Sequence, residues 1–196
     1  MNMKRLLRHR IADRGEISRE FLSRGLTDMA SAVAYIRRLP YGQNTDRGDF
    51  RRVLREGKGT CRTKHALLAR LAQEQGIPLE LTLGIYEMNE RNTPGIGRVL
   101  ARYGLDAVPE AHCYLKYGNC RLDVTRTVSV QAEPVRTWLW EENIRPDQIG
   151  EYKVSLHQAY IRSWAARQRP PLVWERVWRI REECIRALED PFFFSG

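Results

Sequence analysis

Two kinds of hydrophobic spacing run along this chain. Met29, Val33 and Ile36 lie three or four positions apart, as on a helix with one buried face. From residue 79 to residue 86, apolar side chains alternate with polar or small ones, which is typical of a half-buried strand. Such patterns predict helices over residues 16–24, 27–39, 49–55, 61–75, 98–103, 155–168 and 172–188. They predict strands over residues 79–86, 111–115 and 121–125.

Helix signals and breakers set these boundaries. Thr27 is predicted to cap the second helix, Pro40 to stop it, and Gly76 to end the helix that begins at residue 61. The order of elements indicates an α+β fold in a single domain. Its parts are N-terminal helices (1–56), a core with a helix packed on an antiparallel sheet (57–130) and a helical C-terminal region (131–196).

Composition narrows the class of protein. A chain of 196 residues is long enough for one domain with a sizeable core. No apolar run approaches the roughly 18 residues of a transmembrane helix. The basic segment 1–10 lacks the apolar stretch of a signal peptide, so we expect a cytoplasmic protein that does not enter membranes. Its four cysteines fit that location as free thiols.

The net charge of +9 raises the question of nucleic-acid binding. The basic residues are dispersed, and many stand beside acidic residues at helical spacing, as in Arg181-Glu182-Glu183 with Arg186. Such dispersal is typical of a solvated helical surface and argues against a nucleic-acid interface. An anionic substrate or an acidic partner stays open, and the sequence does not indicate an oligomeric state.

The candidate chemistry lies in Cys61, His112 and Asp123. Cys61 follows a glycine-rich turn and opens a predicted helix, whereas His112 and Asp123 fall on successive predicted strands. The N–H groups and dipole of a helix N-terminus favour a thiolate. An imidazole can exchange protons with that thiolate, and a carboxylate can orient the imidazole. Each residue alone is more often structural, but together they predict a cysteine-nucleophile triad.

The spacing between the two strands supports this triad. A two-residue turn at Gly118 and Asn119 would place Tyr117 opposite Cys120. In that register, side chains at positions 112 and 123 point to the same side of the sheet as diagonal neighbours. A shift of one residue would put them on opposite faces.

The same residues carry a family resemblance. The motifs are Gly59-Thr60-Cys61, Lys64-His65-Ala66-Leu67-Leu68, Gly76-Ile77-Pro78, Glu110-Ala111-His112 and Leu122-Asp123-Val124-Thr125. Together they resemble the transglutaminase-like superfamily over residues 50 to 130. That resemblance implies a papain-like core with Cys61 as nucleophile, His112 as base and acid, and Asp123 as orienting carboxylate. Arg62 stands where transglutaminases often have an aromatic residue, so the resemblance does not extend to protein crosslinking of the animal type.

Three other patterns point elsewhere and are less specific. The segment 57–60 lacks the residue order of a phosphate-binding loop. Cys61, His65, His112 and Cys113 contain zinc-ligand types, but adjacent strand residues point to opposite faces, which breaks the set. His65, one turn after Cys61, is predicted to point into the core. We therefore expect no metal and no cofactor.

The sequence predicts a cysteine-dependent hydrolase or acyltransferase that acts on an amide in a peptide, a protein or a small molecule. The backbone N–H of Cys61 would stabilise the oxyanion, and the side chain of Gln43 or Asn44 would supply a second donor. The loop between the strands, 87–110, ends just before His112 and either forms a wall of the cleft or covers the core. The alternative function is a non-catalytic binding protein that uses the cleft or the tryptophan-rich C-terminal helices. The phenylalanine tail, 192–194, is expected to pack against the body or a second copy.

Overall fold

The computed structural model describes residues 2–125 and 132–188, so the phenylalanine tail lies outside the described residues. The protein has an α+β fold with a four-stranded antiparallel sheet. The strands are β1 (Glu80–Met88), β2 (Val108–Tyr117), β3 (Cys120–Leu122) and β4 (Trp140–Ile144), and their order across the sheet is β3-β2-β1-β4.

The chain divides into two compact units. The first comprises Met1–Leu83, Cys113–Thr127 and Glu142–Glu151, and the second comprises Gly84–His112, Val128–Glu141 and Tyr152–Gly196. Helices of the first unit are α1 (Met3–Leu7), α2 (Glu16–Ser23), α3 (Met29–Arg38), α4 (Arg52–Glu56) and α5 (Cys61–Glu74), with a 3-10 helix at Pro146–Ile149. The remaining helices are α6 (Gly97–Arg102), α7 (Glu151–Arg167, whose first residue falls in the first unit) and α8 (Trp174–Ala187).

Helix α5 is the central element of the first unit. It contacts α2, α3, α4 and the 3-10 helix, and nearly all of its residues are buried. Gly76 follows it with φ of 67°, a left-handed conformation that glycine adopts without strain, which confirms the predicted stop. Helix α3 presents Met29, Val33 and Ile36 to the core as predicted. Its cap is Asp28 rather than Thr27, because the Asp28 carboxylate accepts the Ser31 N–H at 2.8 Å.

The predicted hairpin register is confirmed. Tyr117 pairs with Cys120, Lys116 with Arg121 and Leu115 with Leu122, around a turn in which Gly118 has φ of 58°. The second strand was predicted to continue to residue 125, which is wrong. Strand β3 ends at Leu122, so Asp123 lies just beyond the strand. Residues 123–125 lie beyond the end of this strand. Their backbone groups form hydrogen bonds with side chains of α3 and α5.

Strand β1 was predicted to be half-buried, but both of its faces are covered. Thr82, on the face opposite Leu81 and Leu83, is fully buried and donates to Asn143 at 2.9 Å. At Gly84, a Cβ atom would lie 2.3 Å from the Trp138 ring, so the indole occupies the space of the missing side chain. The alternating polarity of β1 did not predict the burial of its second face, because polar Thr82 and small Gly84 are typical of an exposed face.

The C-terminal region differs from the purely helical prediction. Strand β4 precedes its helices, and α7 begins at Glu151, four residues earlier than expected. Val177, Ile180 and Cys184 of α8 are buried, whereas Val173 is 64% exposed because the helix begins after it.

The tryptophans of α8 are engaged within the second unit. The Arg162 guanidinium lies 4.1 Å from the centre of the Trp174 ring, and Trp178 contacts His157 edge-on at 5.2 Å between ring centroids. These contacts hold both tryptophans of α8 against α7.

Candidate active site

Cys61 is the first residue of α5 and is only 7% exposed. The turn before it is held in place by Thr63, whose hydroxyl accepts the Thr60 N–H at 3.2 Å and donates to Asn44 at 2.8 Å. A thiol in this position lies at the N-terminal end of the helix, where the helix dipole favours a negative charge.

The loop that contains Gln43 runs beside the glycine-rich turn that precedes Cys61. Tyr41 and Gly59 form a parallel bridge, in which Gly42 N–H donates to the Gly59 carbonyl at 3.3 Å. Because both segments run in the same direction, two residues further on they reach Gln43 and Cys61. The half-buried Gln43 side chain has no hydrogen-bond partner among the described residues, so its amide is available to a ligand.

Asn44, the second predicted oxyanion donor, is held in a structural role. Its amide nitrogen donates to Glu56 at 3.1 Å and to the Lys58 carbonyl at 3.0 Å, and its oxygen accepts from Thr63. Both amide hydrogens are therefore used within the protein. Of the two predicted donors, Gln43 is the better candidate, while Asn44 stabilises the loop that carries it.

Arg62 replaces the aromatic residue that the family resemblance leads one to expect. Its side chain is nearly buried, and Nη1 donates to the Ile149 carbonyl at 3.3 Å. The guanidinium thus fixes the first turn of α5 to the 3-10 helix, which a stacking aromatic ring could not do by hydrogen bonding.

Asp123 lies in a segment held by side chains of α3 and α5. Arg37 donates to the Asp123 carbonyl at 3.2 Å, and Lys64, fully buried, donates to the Thr125 carbonyl at 3.0 Å and the Leu39 carbonyl at 2.6 Å. The Asp123 carboxylate accepts the Thr125 N–H at 2.8 Å and remains 52% exposed. A fixed backbone and an exposed carboxylate suit a group that orients another side chain.

His65 connects the nucleophile helix to this segment. The ring has no exposed surface, as predicted for a residue pointing into the core. Nδ1 lies 2.7 Å from the Cys61 carbonyl, and Nε2 accepts the Val124 N–H at 2.8 Å. A carbonyl accepts only, so Nδ1 carries the proton and the ring is neutral. With both nitrogens occupied, His65 is not a base for Cys61.

His112 belongs to the second unit, where it forms an aromatic cluster with Tyr86 and Trp138. Its ring stacks on the Trp138 indole at 6.3 Å between centroids and meets Tyr86 edge-on at 6.2 Å. The indole packs against Gly84, so its own position is fixed. The cluster restricts the rotation of a half-buried imidazole, as positioned acid–base chemistry requires.

A buried ionic cluster lies two residues before His112. Arg181 donates to both oxygens of Glu110, with Nη2 at 2.7 Å, and both side chains are almost fully buried. Burial would raise the pKa of Glu110, but the charge and hydrogen bonds of Arg181 outweigh it and lower the pKa to about 2. Lys153, also buried, donates to the Ala111 carbonyl at 2.6 Å. Glu110 is thereby fixed to α8, and Ala111 is fixed to α7.

Two neighbours of this cluster are chemically inert. Burial lowers the pKa of His157 to about 3, so its ring is neutral, and Nε2 donates to the Pro109 carbonyl at 2.9 Å. Burial also raises the pKa of Cys184 to about 12, which leaves that thiol protonated at neutral pH. Cys184 therefore serves as an internal reference for thiol reactivity.

A cavity of about 200 Å³ opens in the second unit near the aromatic cluster. Residues 86–92 and 133–139 form its walls, and Tyr86 belongs both to the cavity and to the contact with His112. Arg91, Arg136, Glu87 and Glu133 give the lining charges of both signs. The loop after β1 thus contributes to a cavity wall.

The predicted site residues fall in both units. Cys61 and Asp123 lie in the first unit, where His65 joins the carbonyl of Cys61 to the residue after Asp123. His112 lies in the second unit, and the triad as a whole stays a prediction. Sequence reasoning missed the roles of Glu110, Arg181 and Trp138. A charged residue within the apolar strand around Glu110 was the one available signal.

Comparison with protein-family models, curated proteins and solved structures found no match for this chain. Over the described ranges, no three histidine, cysteine or acidic side chains gather in a way that could hold a metal ion. Among the helices described, none combines the length and apolar character needed to cross a bilayer.

Proposed function

We propose that this protein is a cytoplasmic cysteine-dependent hydrolase or acyltransferase with a transglutaminase-like core that acts on an amide bond. The observation that carries the proposal is the position of Cys61. Its thiol stands at the first residue of a buried 14-residue helix, and His65 of that helix is hydrogen-bonded to the segment bearing Asp123. A buried structural cysteine requires neither the helix start nor the carboxylate segment.

The reaction would proceed in two acyl transfers. The Cys61 thiolate attacks the amide carbonyl carbon, and the C–N bond breaks as His112 gives a proton to the leaving amine. Water or a second amine then attacks the thioester, loses its proton to His112 and releases Cys61. Asp123 would keep the imidazole in the required tautomer. The Cys61 N–H and the Gln43 amide would stabilise the oxyanion in both steps.

The cavity of the second unit shares Tyr86 with the contact to His112, and it supports a proposal about the kind of substrate. Its volume of about 200 Å³ suits a single side chain or a small amide rather than a folded protein surface. Arginines and glutamates in the lining can bind the charged or polar groups of a peptide. We therefore propose a peptide or small-molecule amide as substrate.

Hydroxylamine trapping tests the proposed reaction. Hydroxylamine attacks a thioester to give a hydroxamate, so the wild-type protein and a library of glutaminyl and asparaginyl peptides should yield peptide hydroxamates. Mass spectrometry without hydroxylamine should show Cys61 carrying the peptide acyl group after loss of ammonia. Tight peptide binding without hydroxamate or acyl-enzyme would favour the non-catalytic binding protein instead.

Replacing Asp123 with asparagine should lower turnover while preserving the fold. The amide can still accept the Thr125 N–H, but it cannot offset an imidazolium charge and can favour the wrong tautomer. The equivalent change in a serine-protease triad costs about 10⁴-fold in turnover, and a smaller loss is expected here because a thiolate–imidazolium pair can form at rest. Hydroxamate formation and the melting temperature are the two measurements.

The exposure of the Asp123 side chain predicts a melting temperature close to that of the wild type. An unfolded Asp123→Asn variant would show that Asp123 is a structural hydrogen-bond centre. Unchanged turnover and unchanged alkylation of Cys61 at neutral pH would remove Asp123 from the triad.

A further inference from the structure

His65 stands between two residues of the proposed site. Its Nδ1–H binds the carbonyl of Cys61, and its Nε2 binds the N–H of Val124, the residue directly after Asp123. The two contacts measure 2.7 and 2.8 Å, and the ring between them is rigid and completely buried. One imidazole therefore spans the distance from the nucleophile's backbone to the carboxylate's backbone.

We propose that His65 is a positioning residue that sets the placement of Cys61 relative to Asp123. This inference rests on the proposed function, because the distance matters only if both residues act in one reaction. His65 acts through the backbone of Cys61 and Val124.

Other side chains near the segment are less suited to this role. Arg37 and Lys64 bind carbonyls of residues 123 and 125 through long, flexible chains, and neither contact reaches Cys61. A histidine ring has two rotatable bonds, and both of its nitrogens are committed. The imidazole ring cannot stretch. If the backbone of Cys61 or of Val124 moved by about 1 Å, the ring would therefore move with it and displace the other contact.

The His65 ring can hold Val124 in this way only because Nε2 carries no proton and accepts the Val124 N–H. Nε2 also lies 3.4 Å from Asp123 Oδ1, which accepts the Thr125 N–H. Because Nε2 is itself an acceptor, it holds Val124 without withdrawing the Asp123 carboxylate into an ion pair.

Three variants of His65 separate its two contacts. In His65→Asn the amide nitrogen can replace Nδ1 as a donor to Cys61, whereas in His65→Gln the amide oxygen can replace Nε2 as an acceptor from Val124. His65→Leu removes both contacts. The matched control is Gln75→Leu. This change removes a buried side chain and breaks its two part-buried hydrogen bonds of 2.9 Å to the backbone of Ala12, at the opposite end of the same helical segment.

The readouts are the melting temperature and the pH profile of Cys61 alkylation by iodoacetamide. The free energy of one hydrogen bond corresponds to a factor of about three to ten in a rate or equilibrium constant. Each of His65→Asn and His65→Gln loses one such bond, so each should slow the alkylation of Cys61 at pH 6 by that factor. His65→Leu should slow it further and move the profile toward that of an ordinary thiol. Gln75→Leu should lower the melting temperature comparably without moving the profile.

The inference is overturned if the folded His65 variants keep the wild-type profile, or if Gln75→Leu shifts the profile as much as they do. Should His65→Leu fail to fold, the asparagine and glutamine variants decide the question by the same criterion. Failure of the proposed function has a different signature. In that case wild-type Cys61 itself alkylates with the profile of an ordinary thiol, before any substitution at His65.

Discussion

Replacing Cys61 with alanine is expected to abolish amide turnover and leave the fold intact. The nucleophile has no substitute in the proposed reaction, and losing the nucleophile of a serine protease costs about 2 × 10⁶ in turnover. The side chain is small, so removing its sulfur leaves only a minor cavity. Hydroxamate formation should fall to the uncatalysed level, while the melting temperature stays within a few degrees of the wild type.

Cys120→Ala provides the matched control, because Cys120 is a half-buried thiol on the β3 hairpin of the same unit. That variant should keep full turnover. Retained activity in Cys61→Ala, at any level well above background, would refute a cysteine-nucleophile mechanism at this position. Loss of activity in both variants would instead show that the loss in Cys61→Ala is not specific to the nucleophile.

Arg181→Met is expected to produce the largest loss of stability. It would leave the Glu110 carboxylate buried without its main partner, and breaking a buried ion pair in this way costs about 3–5 kcal/mol. Lys153 also lowers the pKa of Glu110, so the lower end of that range is expected. Urea denaturation at pH 7 measures the change. The double variant Glu110→Gln/Arg181→Met should recover much of the loss, because it removes the buried carboxylate together with its main partner.

The same pair predicts a pH dependence. The pKa of Glu110 is about 2 in the folded protein, below its ordinary value near 4.3. A depressed carboxyl pKa stabilises the folded state above the unfolded pKa and loses that contribution as the pH falls toward the folded pKa. Wild-type stability should therefore decline between pH 4.3 and pH 2, and the double variant should decline less over that interval. Equal slopes for the two proteins would contradict the assignment.

Local patterns were enough to predict most elements that carry the candidate residues. The Gly118–Asn119 turn defined the register of the hairpin, since its two residues leave Tyr117 opposite Cys120. The helix that begins at Cys61 follows from a glycine-rich turn before it and Gly76 after it. These features depend on neighbours in the sequence, which is why they can be recognised without a structure.

The features that sequence reasoning missed depend on residues far apart in the chain. Glu110 and Arg181 are separated by 71 positions, and nothing in either neighbourhood indicates the other. Trp138 covers Gly84 across a similar gap, which hides the burial of the second face of β1. His65 looked like an ordinary core residue, and only its two contacts show that it joins the segments of Cys61 and Asp123.

Whether Cys61 is an activated nucleophile is tested most directly by the rate at which each of the four cysteines reacts with iodoacetamide at pH 6. Peptide mapping by mass spectrometry resolves the thiols individually in the native protein. We expect Cys61 to react first, although Cys120 is more exposed. Cys184 should react last, because burial raises the pKa of its thiol to about 12. An activated thiolate at the start of α5 explains such an order. Preferential labelling of Cys120, with Cys61 as slow as Cys184 until the pH approaches the ordinary thiol value of about 8.5, would contradict it.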